Sequence, residues 1–245
     1  MNEKEAASGA EKRVLRALLS LSELKRIARK LYAFEKVAAT HIEPINLHDL
    51  LPELKSLRIE MSYWPILGGM EVSEVSAISY IVKKRNPKKI FEIGTFKGLT
   101  TYHMALNSSP QCEIMTLDLP PDKIGQAKLE LTDLSLIKKE RSGERFHGTE
   151  VERKIRQLFG DSANFDYSPY YGEIDLVLVD GAHSYDYLLS DSEVARKLVS
   201  PNGVILWHDY PTWNGVWLGL EKIEQRWGAK FRRIEGTTLV LYGKI

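Results

Sequence analysis

The run Ile174-Asp-Leu-Val-Leu-Val179 is apolar on both faces of an extended chain. A strand of that kind needs cover on both sides, as in a parallel sheet flanked by helices. The chain from Glu71 onward supplies that cover. Val75, Ile78, Ile81 and Val82 recur at helical spacing, with Ser73 as the expected cap and Asn86-Pro87 as the stop. Lys89–Ile93, Glu113–Leu117, Lys154–Phe159 and Val204–Trp207 read as further strands. Gly98–Leu106, Tyr185–Val199 and Val216–Trp227 read as helices, and Ser200-Pro-Asn-Gly203 as a turn. Phe231–Ile234 and Thr238–Tyr242 flank Glu235-Gly236-Thr237 as a closing hairpin. Repeated strand–helix units predict a doubly wound α/β sheet of seven strands, mostly parallel, with an antiparallel C-terminal hairpin.

Residues 1–70 differ in character and are expected to form an N-terminal helical extension to a sheet domain of residues 71–245. Across Glu11–Ala39, Val14, Leu18, Ile27, Leu31 and Phe34 share one face, and Arg13, Arg16, Lys25, Arg26 and Arg29 the other. Such a helix docks on its own domain or on a second subunit, so a homodimer through it is expected. A membrane surface or another partner is the alternative. Leu47–Leu57 reads as a short helix and Tyr63–Gly69 as a loop. Lys+Arg (34) nearly balance Asp+Glu (33), which gives no global field for nucleic acid. No apolar stretch approaches the roughly 20 residues of a membrane helix. The one cysteine, Cys112, excludes an internal disulfide and reads as a buried thiol, and a cytoplasmic location is expected.

In a doubly wound sheet, ligands bind beyond the carboxyl ends of the strands. After the first strand comes Glu92-x-Gly94-x-x-x-Gly98, where Gly94 allows a sharp turn and Gly98 a close approach to the next helix. The spacing departs from the dinucleotide pattern G-x-G-x-x-G, which disfavours a nicotinamide enzyme. After the second strand, Asp118 is placed to accept from both hydroxyls of a ribose, or else serves as a cap or turn residue. After the third, Asp161-Ser162 either accepts from an adenine amino group or caps the next helix. Residues 119–153 are longer than a typical connection and are expected to form a lid or substrate-binding insertion, with Arg145 and His147 the members of most interest. Phe165–Tyr171 and Trp213 are either aromatic walls of the cleft or ordinary core and loop packing.

In order and spacing, Phe91-Glu92-Ile93-Gly94-Thr95, Leu117-Asp118, Gly160-Asp161-Ser162 and Val179-Asp180-Gly181 resemble the strand-end motifs of class I S-adenosylmethionine-dependent methyltransferases. The resemblance covers about residues 71–245. It implies a Rossmann-like fold, S-adenosylmethionine as cofactor, and methyl transfer to a small-molecule acceptor at an oxygen. By it, the backbone of Gly94, Thr95 and Gly98 cradles the methionine part of the cofactor. Glu92 supports that loop and the cofactor's amino group, Asp118 takes the ribose and Asp161 the adenine.

Asp180-Gly-Ala-His-Ser-Tyr185 and Trp207-His-Asp-Tyr210 are similar to metal-dependent sugar O-methyltransferases and to cephalosporin hydroxylase-like proteins. In those, an aspartate after the fourth strand and an acidic pair after the fifth hold a divalent cation. The similarity implies Asp180, His208 and Asp209 as metal ligands and Asp180, His183 and His208 as catalytic residues. This chain departs from the pattern at Ala182, where an acidic residue is common, and at His208, which replaces the first member of the acidic pair. A mixed Asp/His set favours a borderline metal. Without a metal, His183 or His208 is the candidate general base. Two other functions are compatible with these residues: a metal-dependent hydroxylase-like enzyme, and a non-catalytic cofactor-binding protein that dimerises through Glu11–Ala39.

Overall fold

In the computed structural model, which describes residues 40–62, 69–132 and 139–245, the apolar runs become eight strands of one sheet. They are β1 (Pro44–Ile45), β2 (Lys89–Ile93), β3 (Glu113–Asp118), β4 (Ile155–Phe159), β5 (Ile174–Val179), β6 (Val199–Trp207), β7 (Arg232–Ile234) and β8 (Val240–Tyr242). The order across the sheet is β1-β7-β8-β6-β5-β2-β3-β4. Every neighbouring pair is parallel except those made by β8, which runs against both β6 and β7. The described helices are α1 (Leu47–Leu50), α2 (Val72–Arg85), α3 (Leu99–Asn107), α4 (Tyr185–Leu198) and α5 (Asn214–Trp227).

The period-two alternation of each strand builds the layers. Ile90, Leu176, Leu178, Val204 and Leu206 join one buried cluster with Val75, Ile78, Ile81 and Val82 of α2 and Met104 of α3. The residues between them, Phe91, Val177, Val179, Ile205 and Trp207, join a second cluster with Leu188 and Ala195 of α4 and Val216, Leu220 and Ile223 of α5. Helices therefore cover both faces, as the continuous apolar run of β5 requires.

Several details differ from the sequence reading. The C-terminal hairpin is not an appended edge: β8 inserts between β6 and β7. An eighth strand comes from Pro44–Ile45, which pairs in parallel with β7. Ile42 and Leu51 are fully buried in the sheet's two clusters. The compact unit thus begins at His41 and not at Glu71. Helix α2 is capped by Glu71, in a capping box with Glu74, and not by Ser73. The expected turn at Ser200–Gly203 is absorbed into β6 as an irregularity in its pairing with β5. Cys112 is buried, as expected. The Glu11–Ala39 helix, with the homodimer expected through it, lies outside the described residues, as do residues 63–68. Among the described residues no helix is long and apolar enough to cross a membrane.

Candidate active site

From β2 the chain winds outward through β3 to β4, whereas β5 leads the other way to β6. The carboxyl ends of β2 and β5 therefore flank the crevice where strand order reverses. Ile93 and Val179 are register partners there, and the Asp180 amide donates to the Ile93 carbonyl at 2.8 Å. The chain leaves β2 through Gly94 at φ +99°, where a Cβ would stand 1.9 Å from the Asp180 carbonyl oxygen. The glycine loop and the end of β5 are in direct contact, and only glycine permits it.

Around this loop the expected cofactor residues take different parts. Thr95 turns inward, with its hydroxyl 2.6 Å from that of Thr116 and accepting from Gln157 at 3.0 Å. Glu92 is buried and accepts from the hydroxyls of Thr101 and Thr116. Burial pushes its carboxyl up to about 8, against those two hydrogen bonds. Both side chains brace the loop from beneath. Gly98, at φ +79°, opens α3 and makes room for Phe146, whose ring a Cβ would meet at 2.7 Å.

The two aspartates expected to read adenosine already have partners within the chain. Asp118 receives the hydroxyl of Ser142, and Lys139 Nζ lies 2.9 Å from its Oδ2. Burial pushes the Asp118 carboxyl up, with Lys139 and Ser142 opposing. Asp161 accepts from the Lys128 amide at 2.7 Å, the Ala163 amide at 2.9 Å and Tyr187 Oη at 2.9 Å. The insertion thus fastens onto both strand-end carboxylates. Of the two members singled out, His147 is tied to Glu152 at 2.8 Å, and the Arg145 amide donates to the Lys97 carbonyl at 3.0 Å. Phe165, Tyr167 and Tyr170 pack against one another or on Phe91 of β2, as core rather than cleft wall.

Beyond β5 and β6 the polar residues do converge, in a different pairing from the one implied by resemblance. His208 Nδ1 lies 2.9 Å from Asp180, and its Nε2 lies 3.1 Å from Glu74. Both ring nitrogens of His208 are thus engaged by carboxylates of the chain itself. Burial disfavours its charge, but Asp209, Asp180 and Glu74 together raise its pKa well above the ordinary value. Glu74, reaching in from α2, is held at about 2 despite burial, by His208 and by Thr238, which donates from its amide and hydroxyl. The sequence reading missed Glu74. Its signal was an acid four residues before Ile78, on the inner face of an amphipathic helix.

His183 instead pairs with Asp209, Nε2 to Oδ2 at 2.7 Å, and its ring stacks on Trp213 with centroids 4.8 Å apart. Burial works against the Asp209 charge, but His208 and His183 more than offset it and hold its pKa far below the carboxylate range. Asp180, His183 and Asp209 each offer a ligand atom, all within 4.8 Å of one another. Their side chains are 16–21% exposed, against 5% for Glu74, so a small ligand can reach them.

Residues 91–210 match the family described as methyltransferase domain. This stretch is a methyltransferase domain. It runs from inside β2 to just past the Asp209 turn and contains the glycine loop, both strand-end aspartates and Asp180, His183, His208 and Asp209 of the cluster, but not Glu74. The fold is shared with two solved structures at low identity. One is a methyltransferase from Podospora anserina solved with S-adenosylhomocysteine bound, 18% identical, TM-score 0.52, covering 93% of this chain and 98% of its own. The other is a candidate caffeoyl-CoA O-methyltransferase from Staphylococcus aureus, 14% identical, TM-score 0.51, covering 88% and 97%. No curated protein matches the chain.

One further carboxylate sits beneath the methyltransferase crevice. Asp191 of α4 is 1% exposed, with Oδ2 3.1 Å from where a Cβ on Gly181 would lie. Burial pushes its carboxyl up to about 7, partly opposed by Ser162 and reinforced by the charge of Asp161. The folded state then binds more protons than the unfolded one between the ordinary 3.8 and about 7, so stability falls as pH rises through that window. Asp191→Asn removes the penalty. Thermal unfolding is expected to show the variant more stable at pH 8, by up to about 4 kcal/mol, and level with the parent below pH 4. A gain independent of pH would show that ionisation of Asp191 is not its source.

Proposed function

We propose that this methyltransferase domain binds S-adenosylmethionine against the glycine loop and transfers its methyl group to an oxygen of a small-molecule acceptor. The observation that carries the reading is the direct contact of Gly94 with Asp180, which sets a cofactor loop beside an acid–base cluster. The bound S-adenosylhomocysteine of the Podospora enzyme, on the same fold, supports the choice of cofactor.

His183 is the base in this proposal. Its Nε2 lies 2.7 Å from Asp209 Oδ2, a carboxylate that raises the basicity of the imidazole it faces. The acceptor hydroxyl gives its proton to the His183–Asp209 pair as its oxygen attacks the methyl carbon. The carbon–sulfur bond breaks and S-adenosylhomocysteine leaves. Asp209 then faces an imidazolium, a charge it is placed to stabilise. Most of the acceleration comes from alignment of acceptor and sulfonium, and Trp213 holds the imidazole plane from one side.

A second reading is favoured by the convergence of Asp180, His183 and Asp209. One imidazole and two carboxylates fit a borderline divalent metal better than an all-oxygen magnesium site. Such a metal would polarise the acceptor hydroxyl and lower its pKa. His183 would then replace His208 in the ligand set implied by resemblance. The match to a methyltransferase family favours methyl transfer over hydroxylase-like chemistry on this cluster.

Titration calorimetry with S-adenosylhomocysteine tests the cofactor assignment. One-to-one saturable binding is expected, weakened by excess S-adenosylmethionine. Heats no larger than dilution at millimolar ligand would sink it.

A further inference from the structure

The insertion is fastened in two different ways. Its deeper part is packed: Phe146 is 1% exposed against Gly98, and the amides of Gly143 and Arg145 donate to the carbonyls of Phe96 and Lys97 at 2.9 and 3.0 Å. Val151, behind it, is also buried. The part just before is held through Lys139 and Ser142, with Lys139 Nζ also 5.8 Å from the centre of the Phe96 ring. Lys139 Nζ sits 2.9 Å from Asp118 Oδ2, and Ser142 Oγ donates to that same oxygen. Between the two parts lies Gly143, at φ +72°.

We propose that residues 139–142 are a latch, in which Lys139 occupies the ribose subsite at Asp118 and must leave for the cofactor to bind. The inference rests on the cofactor reading above and adds regulation to the same site. A ribose needs the carboxylate of Asp118 as its acceptor. Here one oxygen of that carboxylate already carries an ammonium and a hydroxyl, and the lysine side chain is 2% exposed. The cation and the sugar diol therefore compete for one acceptor. An ammonium is strongly solvated once released to water, so the exchange trades a desolvated ion pair for a hydrated lysine and a sugar hydrogen-bonded to the carboxylate. Phe146 and the Gly143 and Arg145 amides are packed and hydrogen-bonded independently of Asp118, so the movement stops at Gly143.

Competition of this kind lowers apparent affinity by the fraction of molecules that are unlatched. Lys139→Met keeps length and apolar bulk but removes the cation. In calorimetry at pH 8, K139M is expected to bind S-adenosylhomocysteine at least about fivefold more tightly than the parent, with Ser142→Ala shifted less in the same direction. In the parent, saturation with S-adenosylhomocysteine is expected to speed hydrogen exchange at amides 139–142 and leave 146–153 unchanged. Parent binding with K139M equal or weaker, or exchange at 139–142 slowed by ligand, overturns the latch and leaves the cofactor reading standing. No binding by either protein overturns the cofactor reading and the latch with it. Should K139M not fold, S142A and the parent's exchange decide by the same signs.

Discussion

Replacing His183 with alanine is expected to lower kcat by about 10²- to 10⁴-fold while leaving affinity for S-adenosylhomocysteine within a factor of three or so. The split follows from geometry. His183 belongs to the loop after β5 and makes its contacts with Asp209 and Trp213, whereas the glycine loop is braced separately by Glu92, Thr101 and Thr116. Loss of the imidazole removes either the proton acceptor or a metal ligand, and the two readings part on further measurements. If His183 is the base, added imidazole restores part of the rate to the alanine variant. The ascending limb that a histidine base gives at about pH 5–8 then disappears from its pH–rate profile. If His183 holds a metal, chelation inactivates the parent, and the variant retains less metal on purification. A variant with parental kcat would remove His183 from the chemistry in both cases.

The strands, the helices and the crevice were legible because a parallel sheet writes itself as apolar runs ending in polar residues. What the sequence hid is which side chains meet, and the two histidines show why. Leu206 and Trp207 belong to opposite clusters, so the alternation of β6 sends His208 to the face of Leu206. That is the face covered by α2, and Glu74 is waiting there. Asp209 would then be expected on the opposite side in ordinary extended geometry. Its φ of +69° instead takes it out of the strand pattern and towards His183. Aspartate tolerates that conformation better than most residues, yet nothing in the spacing announces it. A resemblance that places both residues in one ligand set carries no information about this turn. Asp118 and Asp161 repeat the lesson at longer range. Their positions after β3 and β4 were legible, but Lys139 and Lys128 reach them from an insertion with no apolar periodicity to fix its path. The eighth strand was hidden for a simpler reason: Pro44–Ile45 is too short to show alternation, and it pairs only because β7 presents an open edge.

Gly94→Ala is expected to be the most damaging single-methyl change in the domain, and comparison with Gly148→Ala separates its two causes. Both glycines have positive φ, +99° and +76°. A Cβ on Gly148 meets no atom within 4 Å, so alanine there carries only the conformational cost, on the order of 1–2 kcal/mol. At Gly94 the same methyl would lie 1.9 Å from the Asp180 carbonyl oxygen and 2.5 Å from its carbon. These are backbone atoms, held by the hydrogen bond from the Asp180 amide to the Ile93 carbonyl and by the pairing of β2 with β5 at the centre of the sheet. No side chain can rotate to relieve the overlap. The strand ends must separate, which opens the crevice, or the glycine loop must leave its path. Either response costs well over about 4 kcal/mol, beyond the usual range for a point substitution. It also displaces Asp180 from His208 and so disturbs the cluster. The expected result is a G94A protein that is insoluble or unfolds far below the parent, and that binds no S-adenosylhomocysteine when recovered. G148A should fold, bind and melt a few degrees lower. Equal melting temperatures for the two variants would mean that β2 and β5 are not locked at Gly94, and the contact on which the proposed site is built would fall with that result.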